Sequence, residues 1–105
     1  MSLALDNILV DEEALDFADE AGLKESLDEV ARFSSAAFPT MPLHFVLDID
    51  PENPLDRQVS VQMDATGWNS RQMLAAHDAW FDQLSASSLS TLHKSMFCLH
   101  LVESA

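Results

Sequence analysis

Read along the chain, the hydrophobic and polar positions change their period three times, and each change marks a new kind of element. At about 100° per residue, Ala14, Leu15, Phe17, Ala18 and Ala21 gather on one side of a helix, and Glu12, Glu13, Asp16, Asp19 and Glu20 on the other. Asp11 stands where an N-cap belongs, and the two glutamates after it suit the positive end of the helix dipole. A second stripe, Leu23, Leu27, Val30 and Phe33, is opposed by Glu25, Asp28, Glu29 and Arg32. On one straight helix the two stripes would be rotated apart by roughly 120° and could not share a core. Gly22 therefore reads as a C-cap or a sharp bend, between two helices or within one broken helix. Pro39 and Pro42 end helical structure.

From Leu43 the period becomes two. Leu43, Phe45, Leu47 and Ile49 point one way, and His44, Val46, Asp48 and Asp50 the other, as in a strand. Pro51, Asn53 and Pro54 form a turn, after which Val59, Val61 and Met63 alternate with Ser60, Gln62 and Asp64. A hairpin follows. Asn69 and Gln72 then make a capping-box pattern, flanked by Trp68 and Met73 at hydrophobic-staple positions. The helix they open carries Met73, His77, Trp80 and Leu84 along its apolar stripe. The serine-rich stretch from Ser85 to Ser95 reads as a helix end, a loop and one further turn. Met96 to Val102 alternates again as a third strand.

The predicted element order is α-α-β-β-α-β in a single α+β domain over residues 1–105. The connection between the second and third strands is long enough for a crossover, which makes those two parallel. Sheet order 2-1-3 is expected, with helices on one face of a small three-stranded mixed sheet, a two-layer sandwich. The reverse face then displays His44, Val46, Asp48, Asp50, Ser60, Gln62, Asp64, Met96, Cys98, His100 and Val102.

Charge changes this picture more than any motif does. The net charge is −13, and residues 1–56 hold 14 acids against Lys24 and Arg32. Such a surface repels phosphate, which argues against direct nucleic-acid binding and against anionic membrane surfaces. No apolar run approaches the roughly 20 residues that span a bilayer. The N-terminal residues carry no base before Lys24, unlike a targeting segment, and Cys98 is the sole cysteine. A cytoplasmic location is expected.

Candidate chemistry centres on the reverse face. His44, His100, Asp48 and Asp64 combine imidazole and carboxylate, the donor set of a first-row metal or a small polar ligand. Their spacing matches no metal motif, and neither metal nor cofactor is expected. Cys98 with a histidine base would need a depressed thiol pKa. Asp48 and Asp50 form a DxD pair at a strand end, where aspartate also favours the turn. His77 lies inside an apolar stripe. The acids Glu12, Asp16, Asp19 and Glu20 form a stripe able to dock a basic protein partner by electrostatic steering. The composite expectation is a non-enzymatic interaction or regulatory domain that forms a homodimer through its uncovered sheet face or an edge strand. The alternative is a small-ligand or metal-dependent enzyme with its site on the open face.

Overall fold

The computed structural model describes residues 7–103. Its elements are β1 (Ile8–Val10), α1 (Glu12–Glu20), α2 (Lys24–Ala37), β2 (Leu43–Ile49), β3 (Arg57–Asp64), α3 (Ser70–Ala86), α4 (Thr91–Lys94) and β4 (Phe97–Val102). The strands form one mixed sheet in the order β1-β2-β3-β4. β1 is parallel to β2, β2 antiparallel to β3, and β3 parallel to β4. The chain is thus a central hairpin with a helical crossover on each side. It is an α+β protein with a four-stranded sheet, and no described helix is long and apolar enough to cross a membrane.

Two expectations are corrected. The sheet has four strands where three are expected, because the apolar residues before Asp11 end in a strand, β1; Leu3 and Leu5 lie outside the described residues. Three residues are too few to show a period, and their partner, β2, lies more than 30 residues further on. Because β1 takes the outer side of β2, the order 2-1-3 is replaced: the last strand pairs with β3 instead. The parallel relation of the last two strands is as expected.

The break between the first two helices is a Schellman motif. Gly22 has φ of +71°, the Gly22 N–H donates to Asp19 O, and the Leu23 N–H donates to Ala18 O. A side chain at position 22 would be strained in that left-handed conformation. α3 opens with the expected capping box: Asn69 Oδ1 accepts from the Gln72 N–H, and Gln72 Oε1 from the Asn69 N–H. Asn7 ties β1 to the end of α2, its amide donating to Phe38 O and Met41 O while its Oδ1 accepts from the Ser35 hydroxyl.

Register places the apolar strand residues in rows. Ile8, Leu43, Met63 and Leu101 lie side by side, then Val10, Phe45, Val61 and Leu99, then Leu47, Val59 and Phe97. These rows meet Phe17 and Ala18 of α1, Leu27, Val30 and Ala31 of α2, and Ala76, Trp80 and Leu84 of α3. Arg57 joins the same side, its guanidinium 4.8 Å from the centre of the Phe17 ring. At the middle of the core, fully buried Trp80 donates through Nε1 to the equally buried Ser34 hydroxyl at 2.8 Å.

That bond sets a stability prediction. Ser34→Ala leaves a buried indole N–H unpaired, which costs about 1–3 kcal/mol. Thermal unfolding of the variant should fall by roughly 4–8 °C for each kcal/mol lost. A midpoint equal to that of the unaltered protein would show that the pair contributes nothing.

Candidate functional site

On the reverse side of the sheet the same registers assemble polar rows. Leu9, His44, Gln62 and His100 run across all four strands; Val46, Ser60 and Cys98 form the next row, and Asp48 pairs with Gln58. Asp64 pairs with Val102 at the other end. None of these residues belongs to the core that the helices cover. Met96, expected here, instead precedes β4 and packs against that core, because the strand starts one residue later than the alternation suggests.

The four candidate ligands do not converge as a set, although His44 and Asp64 line one groove. His44 and His100 are separated by the whole width of β3, with Gln62 between them. Asp48 lies four residues along β2 from His44, on the order of 13 Å. It lines a separate small depression with Asp50, Asp56 and Gln58. Asp64 accepts from the Thr66 hydroxyl and the Thr66 N–H, which hold its carboxyl below the usual range. It therefore closes the turn after β3. Among the described residues, no group of three or more His, Cys, Asp or Glu is arranged to hold a metal ion.

His44 has a partner that the spacing did not suggest. Its Nε2 donates to Asp11 Oδ1 at 2.6 Å, with both side chains a little under half exposed. Asp11 precedes α1 as its N-cap residue, but its side chain makes no capping bond. Leu9, Asp11 and His44 share the reverse face because odd-numbered positions of β1 point there. No local signal in the sequence indicates this pairing, since it depends on the parallel return of β2. Beside His44 runs a groove of about 640 Å³ lined by Asn7, Leu9, Pro42, Gln62, Asp64 and Val102 among others. An imidazole oriented by a carboxylate at the wall of a groove can bind a polar ligand or relay a proton.

Cys98 has the opposite of a nucleophile's surroundings. Burial pushes its thiol pKa up, and the nearby Asp48 charge adds to this, while a hydrogen bond with Ser60 only partly offsets them. Ser60 itself is 3% exposed although it lies on the face away from the helices. His77 lies on the helical side, its ring 5.4 Å from that of Phe81. The four residues His44, His77, Cys98 and His100 form no common pocket.

A second cleft, of about 450 Å³, lies on the helical side where the α3–α4 connection meets the start of α2. Ser26 Oγ is 2.8 Å from His93 Nδ1 there. Glu29 accepts from the Ser88 hydroxyl at 2.6 Å and the Ser88 N–H at 2.8 Å, and these bonds hold its carboxyl below the usual range. Ser26, Glu29, Ser88 and His93 were not among the sequence candidates. Their contacts fasten the serine-rich segment to α2.

The docking candidates Glu12, Asp16, Asp19 and Glu20 are all exposed on α1, which has no basic residue in its last turn. Among the described residues no Lys or Arg side chain makes a salt bridge with a carboxylate, so none neutralises this stripe at close range.

Compared with protein-family models, with curated proteins and with solved structures, the chain matches none.

Two outcomes follow from these environments. At neutral pH Cys98 should alkylate more slowly than free cysteine, and Asp48→Asn should speed the reaction by relieving charge repulsion on the thiolate; a rate equal to that of free cysteine would contradict the burial argument. Glu29, whose folded pKa is depressed, contributes stability above its unfolded value and loses it as pH falls through the folded one. Denaturant titrations of Glu29→Gln and the unaltered protein should differ at neutral pH and draw together as pH falls below the ordinary glutamate value, about 4.3, and through the lower folded one.

Proposed function

We propose that this chain is a non-enzymatic protein-interaction or regulatory domain, homodimeric through its uncovered sheet face or an edge strand, with α1 offered to a basic protein partner. The observation that carries the reading is one-sided coverage. All three long helices pack on one face of the sheet, and no described helix packs on the other. That reverse face has an uncharged centre of Val46, Ser60, Gln62 and Cys98, with Asp48 and Asp64 towards its two ends. The dense acidic stripe belongs to α1, on the helical side. A second copy meeting the reverse face or the edge beyond it therefore avoids most of the −13 charge. A basic partner meets the stripe.

A second reading, a small-ligand site or enzyme on the same face, is favoured by one observation, the Asp11–His44 pair beside its groove. Among the described residues no group of three or more His, Cys, Asp or Glu completes it as a metal site.

Sedimentation velocity over a concentration series tests the homodimer, with a mass of twice 11.6 kDa expected at high micromolar protein. Titration with a lysine-rich peptide tests the stripe. The combined substitutions Glu12→Gln, Asp16→Asn, Asp19→Asn and Glu20→Gln should weaken binding by tenfold or so, and salt above about 0.15 M should weaken it further. Binding that ignores both salt and the substitutions would remove the docking role.

A further inference from the structure

β4 is an edge strand without the usual protection. Natural edges are kept short, charged, bulged or interrupted by proline so that they do not pair with another chain. β1, at the opposite edge, is protected by its length of three residues. β4 runs for six residues, Phe97–Val102, in unbroken register with β3 and without a proline, lysine or any formal charge.

Two backbone hydrogen bonds fix which of its backbone groups are free. Met96 O accepts from the Val59 N–H and Val102 O from the Ala65 N–H, so even-numbered residues turn their backbone groups toward β3. In a parallel ladder the odd-numbered residues then turn theirs outward. Phe97, Leu99 and Leu101 present three N–H and three C=O groups along the outer edge, where no described strand pairs with them.

We infer that β4 pairs antiparallel with β4 of a second copy, about a two-fold axis at Leu99, joining the two four-stranded sheets into one continuous sheet. Leu99 meets its own equivalent, and Phe97 meets the partner's Leu101, so the outward groups of both strands are satisfied by hydrogen bonds. The occupant is a second copy for two reasons of charge. β4 carries no formal charge within a strongly acidic chain, and it lies at the far edge of the sheet from β1 and the acidic α1, where like-charged copies approach with least repulsion. Opposite charges also bracket the strand, Lys94 before it and Glu103 after it. Antiparallel pairing brings each Lys94 end to the partner's Glu103 end; parallel pairing would set like against like. The axis stands perpendicular to the sheet, so the helices stay on one side and the two reverse faces merge into one larger surface.

This pairing rests on the homodimer reading and specifies its edge, and amide exchange separates the two. In the dimer, exchange of the Phe97, Leu99 and Leu101 amides, followed by NMR, should slow about tenfold or more from low to high protein concentration. The Cys98 and His100 amides, bonded within the monomer, should be protected throughout. Leu101→Pro deletes an outward N–H and no bond of the monomer fold, so it should sediment at 11.6 kDa with an unchanged circular dichroism spectrum. If that variant fails to fold, His100→Lys, at an exposed side chain of the edge, supplies the same test and should also be monomeric. A dimer whose odd-numbered amides exchange at a concentration-independent rate would overturn edge pairing and leave dimerisation through the open face standing. A monomer at every concentration would overturn both.

Discussion

The structure depends on the register between β2 and β3. Side chains alternate along a strand, so a slip of one residue would carry Leu43, Phe45 and Leu47 to the reverse face and bring His44, Val46 and Asp48 under the helices. The observed register aligns Phe45 with Val61 and His44 with Gln62, and both outer strands inherit that separation through parallel ladders. Every large apolar strand residue of the central rows then meets α1, α2 or α3, and burying an uncapped histidine or aspartate is avoided.

The same register governs the chemistry. It places both strand histidines on the uncovered face but keeps them on opposite sides of β3, with Gln62 between them. It leaves His44 to be oriented by Asp11, and Cys98 to be shaded by its neighbours beside Ser60. The polar contacts that do converge, Ser26 with His93 and Glu29 with Ser88, hold the serine-rich connection against α2. That connection precedes β4, so these contacts also help to deliver the last strand to its place at the edge. The polar groups of this molecule are spent chiefly on joining elements.

Coverage and charge are arranged on the same axis. The acids of α1 and the core-facing helices occupy one layer, and the lightly charged reverse face and β4 edge the other. Acidic protein surfaces repel copies of themselves, so self-association is directed to wherever the charge is sparse. The two kinds of contact proposed for this chain, with a copy of itself and with a basic protein, thereby fall on different sides of the domain and do not compete.

The sequence by itself determined the helices of the first third and their break at Gly22, the capped start at Asn69, three of the four strands and, Met96 apart, the face each of their residues takes, because these follow from local period, capping and turn chemistry. It also determined the charge asymmetry. Only the tertiary structure decided that Ile8–Val10 is a strand, that the last strand joins β3, and that Asp11 reaches His44 and Ser26 reaches His93. Each of those depends on residues more than 30 positions apart meeting after a crossover, and neither period nor spacing along a chain records which edge a returning strand will take.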